Sequence, residues 1–228
     1  MIYIAGLILF IVVVFGPQFW TRHIFTRYSE DIESMPGTGG ELAEHLLEKL
    51  GITGVTVEVT DENNDHYDPE NRSVRLSPSV YVGKSLTAIT IAAHECGHAI
   101  QHDTSYPPLL LRSKCARYMP AIERIAAILL VATPFLSLIT RSPVIGVIMV
   151  FSGITILFLP VIFHIITLPV EFDASFGRAM PVLVHGKYIP DSAIPISRKI
   201  LTAAALTYVS ASLASLLNFY RWMVFLRR

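Results

Sequence analysis

The sequence predicts a mainly α integral membrane protein: about four transmembrane helices carrying a small α+β domain on one side of the bilayer. Three observations point there. Hydrophobic residues make up 52% of the 228 positions and charged residues 16%, against roughly 25% charge in an average soluble domain. The apolar residues gather in four runs, residues 2–19, 122–140, 144–169 and 201–219, each near the ~20 residues that a spanning helix needs. The polar stretches between them carry short alternating and helical patterns of their own. Four buried helices of a soluble protein are the competing reading, but the runs match span length rather than core-helix length. Lys and Arg total 18 against 18 Asp and Glu, which speaks against nucleic acid as a partner, because phosphate binding needs a concentrated basic excess. Two cysteines, Cys96 and Cys115, rule out a disulfide scaffold.

The first run has no basic residues before it and no small-x-small cleavage site, so residues 1–20 read as a retained anchor helix. Residues 21–120 form the first polar region. Within it, residues 40–50 place Leu42, Leu46, Leu47 and Leu50 on one helical stripe, with Gly51 as the stop. Val55, Val57 and Val59 alternate with polar residues as a half-buried strand, and Val74 and Leu76 mark a second. The acidic loop at 61–71 invites a calcium reading through Asp61, Asn63 and Asp65. His66 stands where the loop glycine belongs and Arg72 where the final glutamate belongs, so it reads as a solvated turn. Residues 121–169 form a helical hairpin, turning at Arg141, Ser142 and Pro143. A second polar region covers 170–200, and 201–228 give a last helix and a basic tail. Its small residues between Ala203 and Ser215 suit close helix packing. Two spans separate the polar regions, so both lie on one side.

The helix expected from Ser85 onward leads into His94-Glu95-Cys96-Gly97-His98. Residues i and i+4 share a helix face, so His94 and His98 can offer two imidazoles to one zinc ion. Glu95 is turned by about 100° from His94, beside the metal rather than on it. There it can act as general base towards the attacking water and pass the proton to a leaving amine. A catalytic zinc takes three protein ligands. The pattern with a further histidine six residues on fails, because Gln101 and Thr104 occupy the glycine and histidine positions. His102 lies too far along the helix and reads as structural. Glu171 and Asp173, two residues apart, point to different helix faces. Glu171 shares its face with Ala174, which permits close approach, and with Ser175, which could orient a ligand histidine. Glu171 is therefore the expected third ligand, with one Zn2+ per chain.

The segment AHECGHAIQH ending at His102, LPVEFDAS ending at Ser175 and LTAAALTY ending at Tyr208, with HYDP at 66–69 and VRLSP at 74–78, resembles the YugP-like neutral zinc metallopeptidases of bacterial membranes. The likeness runs in order from about residue 21 to the last helix. It implies an integral membrane zinc peptidase with a small gluzincin-type catalytic domain. More loosely the chain is similar to HtpX-type proteases and CAAX prenyl endopeptidases, whose Glu-Phe-x-Ala-Asp motif supplies a zinc-binding glutamate. Glu171-Phe172-Asp173-Ala174 follows that motif, but Ser175 stands where the aspartate is expected.

An oxyanion donor is still needed opposite the metal. Arg178, two turns beyond Glu171, and His185 in the following loop are the candidates, with Tyr188 nearby. The substrate is expected to be a peptide or protein, laid in extended form along an exposed strand such as residues 72–77. Two other readings use the same residues: a non-enzymatic scaffold or chaperone with a structural zinc, and a zinc hydrolase of a non-peptide amide. Glu95 favours an enzyme, since a structural zinc needs no base beside it. Near the spans, Arg22, Arg27, Arg112, Lys114, Arg117, Arg178, Arg198 and Lys199 lie on the side of the polar regions, against Arg141, Arg221, Arg227 and Arg228 on the other. By the positive-inside rule the chain sits multi-pass in the cytoplasmic membrane with the active site facing the cytoplasm.

Overall fold

A computed structural model describes residues 2–226; Arg227 and Arg228, counted in the charge comparison, lie outside the described residues. The chain is mostly helical. Helix α1 covers Ile2–Arg27 with Pro17 inside it. Thr21 of α1 donates its hydroxyl to the carbonyl of Ala203 at 2.7 Å, tying the first helix to the last.

Helix α2 (Gly39–Lys49) begins in a capping box. Glu41 N donates to Thr38 Oγ1 at 3.2 Å and Thr38 N donates to Glu41 Oε2 at 2.8 Å, so two otherwise orphaned amides are satisfied reciprocally. It ends where Gly51 adopts φ +69°. Gly51 N then reaches Glu48 O and Ile52 N reaches Leu47 O, the paired bonds of a left-handed helix stop. Leu42, Leu46 and Leu47 are buried, whereas Leu50, at the cap, is 46% exposed.

Strands β1 (Thr56–Val59), β2 (His66–Asp68) and β3 (Ser73–Leu76) form one small sheet in the order β1-β3-β2. β1 runs parallel to β3 with Thr56 opposite Ser73, and β2 runs antiparallel with His66 opposite Arg75. Two readings of the sequence change here. The acidic loop is not all turn, because Tyr67 is buried at its centre and pulls three residues into strand pairing. The strand expected to receive a peptide, residues 72–77, is central: both edges of β3 are already paired, and Ser73, Val74 and Leu76 are fully buried.

After the short α3 (Pro78–Tyr81), helix α4 (Leu86–Asp103) starts on Ser85, whose Oγ accepts from Ala88 N at 3.1 Å. Ala88, Ala92, Ala93, Cys96 and Ala99 are all buried, so α4 forms the spine of the domain and packs on α2 and the sheet. Helix α5 (Pro107–Thr140) is continuous across residue 120, where the polar region was expected to give way to the hairpin. Arg141, at φ 50°, makes the turn into α6 (Pro143–Phe172), which has Pro143 in its first turn. A π-helical segment, Asp173–Ala179, follows directly, then α7 (Met180–His185). A 3-10 turn at Asp191–Ala193 leads into α8 (Ile194–Leu226), which packs on α1 and α6 and buries Ala203 and Ala205.

Among the described residues, two helical stretches are long and apolar enough to cross a membrane, Pro107–Thr140 and Pro143–His185. Their apolar side chains face outward; Leu138 and Ile139 are each 80% exposed. An exposed apolar surface of this kind marks contact with something other than water.

Candidate metal centre

Two helices meet at the site. On α4, His94 and His98 stand one turn apart, with ring centroids 4.8 Å from each other. The end of α6 brings Glu171 against them: its Oε2 lies 3.2 Å from His94 Nε2 and 3.5 Å from His98 Nε2. The close approach of the two helices depends on Gly97. A Cβ at that position would stand 2.6 Å from the backbone oxygen of Ala174.

His94, His98 and Glu171 offer one ligand atom each within 4.8 Å of one another, the described residues' one such group that could hold a metal ion. Two imidazoles and a carboxylate are donors that zinc takes readily, and donors on a tetrahedral ion at about 2.0–2.1 Å stand about 3.3 Å apart. The 3.2 and 3.5 Å separations fit that spacing. The outer atoms of all three side chains are held as well. Ser175 Oγ lies 3.1 Å from His94 Nδ1. His98 Nδ1 lies 3.0 Å from Gln101 Oε1. Arg112 of α5 donates through Nη1 to Glu171 Oε1 at 2.9 Å. Such contacts fix ring orientation and ligand basicity.

Glu95 is buried beside the cluster, 6% exposed. Burial pushes its carboxyl up to about 7, with the nearby Glu171 adding to the rise and His94 opposing it. Cys96 turns the other way, its Sγ 3.8 Å from the carbonyl of Ala43. Burial raises its thiol pKa, which makes it inert as a thiolate. His102 pairs through Nδ1 with the Tyr67 hydroxyl at 2.7 Å.

The cluster lines a cleft of about 830 Å³. One wall is β2 with the residues that follow it, the other is the first part of α5, and Tyr208 of α8 also lines it. An ion pair between Arg117 and Glu70, 2.9 Å, links the two walls. Arg178 and His185 do not line this cleft. Arg178 donates through Nε to Asp173 Oδ2 at 3.3 Å. The wide π turn puts residues five apart on one face, so Arg178 sits over Asp173 and not over Glu171, as α-helical counting suggested. His185 borders a separate hollow with Leu46, Lys49 and Tyr188, and the Tyr188 hydroxyl is occupied by His45 and Lys49. Gln101 and Arg112 were passed over as site residues in the sequence. Gln101 had a usable signal, since residues three apart on a helix are neighbours. Arg112 had none, being brought in from 59 residues away.

A histidine pair and a glutamate converging beside a buried glutamate, in an open cleft, form the kind of site that zinc hydrolases use. The comparison with known families agrees: the family described as "Putative neutral zinc metallopeptidase" matches residues 3–227, and the chain belongs to it. The chain is 40% identical over 214 residues to "Putative membrane protease YugP" of Bacillus subtilis (strain 168), covering 93% of this chain and 91% of that protein. No solved structure matches the chain.

Proposed function

We propose that the protein is a membrane-integral, zinc-dependent endopeptidase that hydrolyses peptide bonds with Glu95 as general base. One observation carries the reading: a buried carboxylate, Glu95, stands beside three side chains whose ligand atoms converge at the wall of an open cleft. In this reading His94, His98 and Glu171 hold one Zn2+. The bound ion supplies Lewis acidity, lowering the pKa of water towards about 7 and polarising the scissile carbonyl.

The chain's own residues do the rest. A Glu95 carboxylate oxygen takes the proton of the attacking water and delivers it to the nitrogen of the leaving amine. Arg112 holds Glu171 by its far oxygen, so the near oxygen stays directed at the histidines. Of the expected oxyanion donors, Arg178 is paired with Asp173 and His185 borders a separate hollow, so neither lines the cleft. The Tyr208 phenol does line it, hydrogen-bonded to Glu171, and takes the role by turning from Glu171 to the substrate. The substrate peptide lies along β2, an edge strand of the sheet whose residues line the cleft. Backbone pairing of this kind grips a peptide with little sequence demand.

A structural-zinc scaffold would have no use for Glu95 in this position. The test is a comparison of newly formed protein N-termini in membrane and cytoplasmic fractions of cells carrying wild type or Glu95→Gln. We expect a set of cleavage products present with wild type and missing with the variant. Identical product sets would point to the scaffold or to a non-peptide amide as substrate.

A further inference from the structure

The geometry points to Gln101 as a positioning residue that locks the tautomer of His98, with Asp173 setting the orientation of the Gln101 amide. This rests on the metal-site reading above.

The side chain of Gln101 is fully buried between α4 and the end of α6. Its Nε2 donates to two acceptors, the carbonyl of Val170 at 2.9 Å and Asp173 Oδ2 at 2.8 Å. A backbone carbonyl and a carboxylate oxygen can only accept. The amide nitrogen is therefore forced towards them, and Oε1 is forced towards His98 Nδ1, 3.0 Å away. An amide oxygen also only accepts, so His98 Nδ1 must carry the proton. A neutral imidazole holds one proton, so whenever the ring is neutral its Nε2 lone pair points towards Glu171 Oε2, where a cation would join the two.

The chain of contacts continues outward. Asp173 Oδ2 also accepts from Arg178 Nε at 3.3 Å, across the π turn. Arg178 steadies Asp173, Asp173 and Val170 orient Gln101, and Gln101 fixes His98. Asp173, two residues from the ligand Glu171, acts on the metal only through the amide. The effect of removing each member should fall with distance from His98.

The experiment is zinc affinity by chelator competition on the full-length protein in detergent, for wild type, Gln101→Met, Asp173→Leu and Arg178→Met. Methionine fills the glutamine volume without donating or accepting strongly. Gln101→Met should weaken zinc binding by about 10- to 100-fold; Asp173→Leu should weaken it less, because Val170 still holds the amide; Arg178→Met should weaken it least. A second readout is the 15N spectrum of histidine-labelled, metal-free full-length protein at alkaline pH. It should place the His98 proton on Nδ1 in wild type, with loss of that preference in Gln101→Met. Unchanged zinc affinity in Gln101→Met overturns the inference, as does a larger loss in Asp173→Leu than in Gln101→Met. Should Gln101→Met fail to fold, an Nε2-protonated His98 in wild type is decisive against it. Wild type that binds no zinc removes the metal site itself, whereas tight wild-type binding with no effect of Gln101 removes only the lock.

Discussion

Glu95 carries most of the chemistry assigned to single residues, and its surroundings have a measurable cost. Burial pushes its carboxyl up to about 7, above the usual carboxylate range. A carboxyl raised on folding stabilises the fold below its unfolded pKa and loses that contribution as pH rises through the folded value. Without metal, the stability of wild type relative to Glu95→Gln should therefore fall between about pH 4.5 and 7, by on the order of 3 kcal/mol. Urea unfolding of the two metal-free proteins across that range measures it. A difference independent of pH would mean that the carboxylate is solvated. Much of this site was readable from residues alone. The i, i+4 spacing of His94 and His98 is local geometry, and the offset of Glu171 from Asp173 followed from helix periodicity. Gln101 and Arg112 were harder, since their roles depend on which atoms remain after other partners are bound.

At the scale of elements, the site is a contact between α4 and the junction of α6 with the π segment. Gly97 lets that contact close, with Ala174 backbone oxygen only 2.6 Å from where a Cβ would stand. Gly97→Ala must separate the helices by a few tenths of an ångström or more. It should cost about 1–3 kcal/mol of stability, as overpacking does, and lower zinc affinity by moving Glu171 from the histidines. Zinc affinity equal to wild type would show that the helix pair has slack. The elements themselves were unevenly visible in the sequence. The leucine stripe read over residues 40–50 falls on α2, which starts one residue earlier, and the helix expected from Ser85 onward is α4, which starts on the Ser85 cap. Strand β2 was hidden because three residues in an acidic stretch carry little periodicity, and only the burial of Tyr67 against the domain explains it. The π turn was hidden because nothing in Asp173–Ala179 distinguishes it from α-helix by composition, and it alone displaces Arg178.

For the whole molecule, the apolar hairpin and the cleft are joined by two continuous helices. α5 leaves the cleft wall at Arg112 and Arg117 and runs on into the apolar run, while α6 ends that run two residues before Glu171. The four spans proposed from the apolar runs and the cytoplasm-facing cleft proposed from flanking charge make a direct prediction. In a Cys115→Ser background, a cysteine at Asp61 should be shielded from an impermeant thiol reagent added to intact cells. One at Ser142, in the hairpin turn, should be labelled. The reverse pattern would put the cleft on the outer face.

In the proposed site His94, His98 and Glu171 hold one zinc ion while Glu95, adjacent to them, does not. The zinc content of the purified proteins tests it most directly. Wild type and Glu95→Gln should each carry about one zinc per chain, as a site with three protein ligands requires. His94→Ala, His98→Ala and Glu171→Ala should each carry almost none. Zinc retained by Glu171→Ala but lost from Asp173→Ala or Glu95→Gln would contradict the account.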